Sequence, residues 1–106
     1  MTKDKLIELL QRYFDEPGCR FGAVQNKKSQ RGDLHAMILL DHIVPGAVES
    51  SDYGAPDMVA GAEHDQIWLA TDMEVLAPLI TEEQVRELAC CGVYYDGEGD
   101  GLSMFV

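Results

Sequence analysis

The C-terminal stretch ITEEQVRELACCGVYYDGEGDGLSMFV, residues 80–106, limits the possible folds more than any other part of the sequence. Thr81 and Gln84 have the spacing of a capping box, in which two side chains and two backbone N–H groups satisfy each other at a helix start. Three apolar residues then share one helical face: Val85, Leu88 and Ala89. Gly92 can close the C-terminus. The pattern predicts a helix between Thr81 and Gly92.

Two apolar runs, VYY and LSMFV, follow this helix and flank a turn of alternating acids and glycines, which is typical of a β-hairpin. Leu102, Met104 and Phe105 are expected to belong to the final strand, and Met104 with Val93 or Tyr95 is expected to help form the core. A further run at 66–71, QIWLAT, has apolar residues on both alternating faces and therefore suits an interior strand.

Helical signals dominate the first half of the chain. Thr2 is a candidate N-cap for an amphipathic helix that should stop before Pro17, and RFGAVQ is expected to be a short extended piece. Asp33 is expected to cap a second helix, LHAMILLDHIV, whose broad apolar surface indicates burial on most sides at the centre of the core. Asp72 should cap a short helical turn.

These elements predict an α+β domain with a small antiparallel sheet of about three strands and about three helices. The length of 106 residues fits a single domain, 1–106, with a basic loop at about 25–32 and an acidic loop at about 46–58. Hydrophobic residues make up 46% and charged residues 25%, which is ordinary for a globular chain. The sequence shows no apolar run of transmembrane length and no signal-peptide pattern, so we predict a cytoplasmic protein.

Charge is distributed unevenly along the sequence. Residues 1–32 hold seven basic and four acidic side chains, whereas residues 33–106 hold fifteen acidic side chains against the single basic residue Arg86, and the net charge is −11. This balance disfavours direct binding to nucleic acid or to an anionic membrane, because both need a positive field. It favours a basic macromolecular partner, although a plainly solvated surface is the alternative.

The three cysteines form an odd set, and two of them are adjacent at Cys90 and Cys91. A disulfide framework of the kind found in small secreted domains is therefore not expected, and a reducing intracellular setting follows. The adjacent pair lacks the C-x-x-C spacing of redox and metal sites. We expect structural or bystander cysteines.

His64 and Asp65, in the stretch AGAEHDQIWLATD, are the candidate catalytic residues. Histidine is the usual general base near neutral pH, and the pair lies at the entrance of the predicted strand. Adjacent residues of an extended chain point to opposite faces, however, so a hydrogen-bonding role in the turn is favoured over a dyad. A small hydrolase or metal-dependent enzyme centred on His64 remains the alternative, with Asp65, Asp41, His42 or the acids at 96–100 around it.

No metal or cofactor is expected. His35 and His42 lie seven residues apart, which separates them by about 10 Å along a helix, too far for joint capture of one ion. The acids of residues 96–101 match the first positions of an EF-hand loop. The glutamate at position twelve is missing, because that position falls beyond residue 106.

Residues 33–106 resemble small phage- and prophage-encoded proteins without an assigned activity, through the segments G-A-E-H-D-x-I-x-L, T-E-E-Q, C-G-V-x-Y-D and M-F-V. The resemblance implies an accessory role in host takeover, anti-defence or DNA metabolism. Together with the charge, it predicts a protein that binds a basic partner, such as a nucleic-acid-binding host protein, as an inhibitor or nucleic-acid mimic. A third alternative is a purely structural component of a phage assembly, which stable self-association would indicate. The expected partner-binding residues are Asp52, Asp57, Glu63, Glu74, Glu98 and Asp100, with Trp68 or the Tyr94 and Tyr95 pair as aromatic anchor.

Overall fold

A computed structural model describes residues 1–45, 59–62 and 65–105, which form four helices and one four-stranded antiparallel sheet. The elements in chain order are α1 (Lys3–Phe14), α2 (Gly32–Ile43), β1 (Val59–Ala62), β2 (Gln66–Leu69), α3 (Met73–Leu76), α4 (Glu82–Cys90), β3 (Val93–Asp96) and β4 (Gly101–Phe105). The predicted α+β class is confirmed, with four strands instead of three.

The sheet has the order β1-β2-β4-β3, so β2 and β4 are its interior strands. Ile67 pairs with Met104, and Met104 pairs with Val93 on the other side. The interior position predicted for QIWLAT and the C-terminal hairpin are both confirmed. The missed strand is β1, because the small residues that dominate it have low β-propensity and resemble a loop in sequence.

The core lies between one face of the sheet and helices α1 and α4, which pack against each other. Each element contributes fully buried side chains: Leu6 and Leu10 from α1, Val85 and Leu88 from α4, Val93 from β3, and Leu102 and Met104 from β4. The second strand of the hairpin therefore supplies core residues at alternate positions, as the sequence predicts.

Local capping signals account for where most of these helices begin. The Thr2 hydroxyl accepts a hydrogen bond from Lys5 N, and Asp72 accepts one from Glu74 N. At α4 both halves of the capping box are present between Thr81 and Gln84. The helix stops where Gly92 adopts φ +96°, a left-handed conformation that glycine adopts without steric cost.

Helix α2 differs from its predicted role as the central helix. It packs against α4, but Leu34 and Ile38 are 43% and 44% exposed. The predicted cap is also wrong, because Arg31 occupies the N-cap position and Asp33 lies within the first turn. The guanidinium of Arg31 donates to the Asp33 carboxylate at 2.7 Å, which explains why this acid does not cap the helix.

Two smaller expectations are also overturned. The segment RFGAVQ contains a 3₁₀ turn at Phe21–Ala23 instead of an extended piece. Cys19 is bonded to Cys90 in a disulfide, which was not expected from the sequence. The error arose because the two cysteines lie 71 residues apart and only the packing of α4 beside residues 15–20 brings their Cα atoms to 4.5 Å.

Within the described ranges, no helix is both long and apolar enough to cross a bilayer. The predicted acidic loop at about 46–58 lies outside the described residues, as do Glu63 and His64. The basic loop at about 25–32 is described and precedes α2.

Candidate functional site

The predicted partner-binding residues have three different outcomes. Asp52, Asp57 and Glu63 lie outside the described residues, as does the catalytic candidate His64. Glu74, Glu98 and Asp100 are exposed, and the fold brings Glu74 and Asp100 to the same lysine. Trp68 and Asp65 belong to the sheet region, where Trp68 is half-buried and Asp65 is exposed.

Lys3 links the first helix to the hairpin turn. Its Nζ donates to Asp100 Oδ2 at 2.7 Å and lies 3.8 Å from Glu74 Oε1, while the Tyr95 hydroxyl donates to Asp100 Oδ1 at 2.6 Å. The hydrogen bond from Lys3, followed by that from Tyr95, lowers the pKa of Asp100. Two of the predicted partner-binding acids are thus already engaged by a cation of the same chain.

This pairing corrects the picture of a basic N-terminus beside an acidic remainder. Arg12 of α1 contacts Glu82 of α4 at 3.0 Å, and Arg86 lies 4.0 Å from Glu16. The folded chain therefore mixes the charges that the sequence separates. The net charge of −11 is unchanged by this mixing, so the surface as a whole stays strongly acidic.

The predicted aromatic anchor Trp68 has an internal partner. Its indole Nε1 donates to Asp96 Oδ2 at 3.1 Å, and Ser103 Oγ lies 3.5 Å from the same oxygen. The register places Trp68, Ser103 and Tyr94 side by side across three strands, on the face opposite the core. Trp68 therefore helps to organise this outer face of the sheet.

The more accessible aromatic group is an aromatic patch formed by Phe14, Tyr94 and Phe105. Phe105 is 61% exposed, and its ring stacks on that of Tyr94 with centroids 5.2 Å apart. Phe14, which is 41% exposed, meets Tyr94 edge-on at 5.8 Å. The rings line a shallow cavity of about 250 Å³ together with Asp15.

Carboxylates and burial also shape the electrostatics of the aromatic patch. Burial raises the pKa of Tyr94, and the negative charges of Asp96 and Asp65 raise it further. The Tyr94 hydroxyl accepts a hydrogen bond from Gln66 Nε2 at 2.6 Å, which fixes the ring. Of the predicted anchors, Tyr94 therefore belongs to the aromatic patch. Phe14 and Phe105, the other two rings of the patch, were not predicted as anchors. Phe105 was recognisable from its place opposite the alternating core residues Leu102 and Met104.

A second feature lies between α2 and α4. His35 is 2% exposed, and its Nδ1 accepts a hydrogen bond from the backbone N–H of Lys28 at 3.0 Å. Nδ1 therefore carries no proton, and the ring is held as the neutral tautomer with its proton on Nε2. That Nε2 lies 3.4 Å from Glu87 Oε2 without reaching hydrogen-bond geometry, and it has no other partner among the described residues.

His35 and Glu87 line a cavity of about 350 Å³, here called the His35 cavity. Ile38 and Leu39 of α2 give it an apolar wall, and Glu83 adds a second carboxylate one turn before Glu87 on α4. The side chain of Glu87 is 27% exposed. The sequence pattern showed only that His35 and His42 share a helix face, because the contact with α4 is a product of the fold.

Two further observations concern metal and thiol chemistry among the described residues. The described residues contain no group of three or more histidines, cysteines, aspartates or glutamates placed to hold a metal ion. The free thiol, Cys91, is buried, and burial raises its pKa to about 12. A thiol with so high a pKa is a poor nucleophile at neutral pH.

Comparison of the chain with known protein families, with curated proteins and with solved structures gave no match.

Proposed function

We propose that this protein binds a basic macromolecular partner, and that the aromatic patch with its neighbouring carboxylates is the centre of the binding surface. One observation carries the proposal: Phe105 is the most exposed large hydrophobic side chain among those described, and it stacks on Tyr94 with Asp15 beside it. Exposed aromatic anchors are the side chains that most often dominate binding energy at protein interfaces.

Charge determines the chemistry of the partner. Asp15 lines the same cavity as the rings, Asp65 is exposed and acts on Tyr94, and the net charge is −11. Aromatic faces attract guanidinium and ammonium groups, and adjacent carboxylates strengthen this attraction. A surface of this kind favours a partner rich in arginine and lysine.

The sequence-based hypothesis adds a class of partner and further binding residues to this proposal. The resemblance to phage-encoded proteins suggests a nucleic-acid-binding host protein as the partner, with inhibition or nucleic-acid mimicry as the outcome. The exposed Glu98 would join the surface from the hairpin turn, whereas Glu74 and Asp100 must first release Lys3. Contributions from Asp52, Asp57 and Glu63 stay predictions.

The test begins with affinity capture from a bacterial lysate, followed by purification of the captured protein and measurement of its affinity. Phe105→Ser should weaken binding by at least about tenfold, as expected for an anchor residue. Leu79→Ser is the matched control, because Leu79 is 56% exposed and lies in a different region of the chain, between α3 and α4.

Salt provides the second measurement. Affinity should fall as the salt concentration rises from about 50 to 500 mM, because screening shortens the range of the attraction. Asp15→Asn with Asp65→Asn should slow association more than it speeds dissociation. An acidic partner, an affinity indifferent to salt, or equal losses in the Phe105 and Leu79 variants would each contradict the proposal.

A further inference from the structure

The His35 cavity presents a donor and an acceptor side by side. The donor is Nε2–H of His35, which is buried and lacks a hydrogen-bond partner among the described residues. The acceptor is the Glu87 carboxylate, whose Oε2 lies 3.4 Å from Nε2. A buried donor without a partner destabilises a protein, so a ligand that satisfies it gains binding energy.

The tautomer of His35 limits the class of ligand. A histidine that binds a metal through Nε2 normally donates its Nδ1–H to a second group. Here Nδ1 instead accepts the backbone N–H of Lys28, so Nε2 keeps its proton and has no lone pair for a metal ion. The ligand must therefore bring a hydrogen-bond acceptor to His35.

The carboxylates of the cavity favour a hydrogen-bond donor in the ligand, close to the acceptor that binds His35. Glu83 and Glu87 lie one turn apart on α4, and both line the cavity. They outnumber Lys28, the one lysine or arginine in the lining, so a positively charged donor is favoured next to the acceptor. In an aminoacyl group the ammonium nitrogen and the neighbouring carbonyl oxygen are about 2.7 Å apart when eclipsed. This spacing allows the two atoms to engage Glu87 and His35 together, once the partly exposed Glu87 side chain turns outward.

We propose that the His35 cavity binds an aminoacyl group: an ammonium group with a carbonyl on the adjacent carbon, as in an amino-acid amide or at a peptide N-terminus. The carbonyl oxygen accepts Nε2–H of His35. The ammonium donates to Glu87 and Glu83, and an aliphatic side chain packs on Ile38 and Leu39. The proposed binding of a basic partner does not depend on this site.

The experiment titrates the whole protein with L-leucinamide at about pH 6.5, where an α-ammonium is charged, and follows binding by NMR and calorimetry. Two matched ligands each lack one half of the group. N-acetyl-leucinamide has no charge, and 3-methylbutylamine has no carbonyl. Both should bind at least about tenfold more weakly than leucinamide, and the His35 Nε2–H resonance should shift only with ligands that carry the carbonyl.

Variants then locate the site. Glu87→Gln should weaken leucinamide binding at least about tenfold, whereas Glu8→Gln removes the same charge from an exposed position of α1 that does not line the cavity and should leave it unchanged. His35→Asn keeps an acceptor for the Lys28 N–H and removes the Nε2–H donor. His35→Asn should weaken the binding of leucinamide but not the binding of 3-methylbutylamine. If this buried substitution unfolds the chain, Glu87→Gln still tests the proposal.

The two sources of the group are separated by comparing leucinamide with the peptide Leu-Gly-Gly-amide. Tighter binding of the peptide identifies a peptide N-terminus as the ligand, and tighter binding of leucinamide identifies a small amino-acid amide. The proposal is overturned if leucinamide fails to bind at about 10 mM, the weakest affinity that a site of this kind would have. Equal binding of leucinamide and its acetylated form, or equal effects of Glu87→Gln and Glu8→Gln, would overturn it as well.

Discussion

Removing the bond between Cys19 and Cys90 should lower the free energy of unfolding by about 4.4 kcal/mol at 25 °C. The estimate follows from the entropy of the unfolded chain, because the disulfide closes a loop spanning 71 residues. A loss of this size changes the folding equilibrium constant by a factor of about 1,500. For a chain of 106 residues it should lower the melting temperature by about 20 °C.

The assay compares the wild-type protein with a Cys19→Ser, Cys90→Ser variant in thermal melts followed by circular dichroism. Reductant should lower the melting temperature of the wild type toward that of the variant and should have no effect on the variant itself. Cys91→Ala is the control, since it removes a buried thiol but leaves the disulfide intact.

The reasoning would be refuted if oxidised and reduced wild-type protein melted within about 3 °C of each other, which is less than the shift produced by 1 kcal/mol. Alkylation of both Cys19 and Cys90 in unreduced, denatured protein, detected by mass spectrometry, would show directly that the bond is absent.

Four further outcomes are expected. Cys91 should stay unmodified by iodoacetamide at pH 8 in the folded protein, because burial raises its pKa to about 12, and rapid labelling would contradict its burial. Since the pKa of Asp100 is lowered, its stabilising pair with Lys3 should be complete above about pH 4 and weaken at lower pH. Lys3→Met should therefore flatten the loss of stability as the pH falls below about 4 in denaturant titrations, and an unchanged profile would refute the pair. Deletion of residues 102–106 should abolish the cooperative melt, because β4 pairs with both β2 and β3, and a truncated chain that melts normally would argue against this sheet. Elemental analysis should find no stoichiometric metal, and one transition-metal ion per chain that disappears in His64→Ala would support the hydrolase alternative.

Elements whose ends are set by local chemistry could be predicted from the sequence. Thr2, Asp72 and Thr81 each cap a helix as expected, since capping depends on residues within one turn of each other. The C-terminal hairpin was equally recognisable, because its turn and both alternating apolar runs are contiguous in the chain.

Features that depend on contacts between distant segments could not be predicted in this way. The apolar length of α2 suggested a central helix, but burial depends on which faces other elements cover, and Leu34 and Ile38 are exposed. The disulfide and the tautomer of His35 likewise follow from the tertiary arrangement. For the candidate site, the sequence predicted an acidic surface with Trp68 or the Tyr94 and Tyr95 pair as aromatic anchor, whereas Phe105, which it did not single out as an anchor, is the most exposed of the large hydrophobic side chains described.

The packing of α1 against α4 determines when the chain can fold during its synthesis. Leu6 and Leu10 are made more than 70 residues before the residues that bury them, such as Leu88 and Val93. Until the hairpin emerges, α1 is an amphipathic helix with an uncovered apolar face, and short isolated helices are marginally stable in water. The core can therefore assemble only after β4 has been synthesised, and until then the nascent chain leaves the apolar face of α1 open to chaperones.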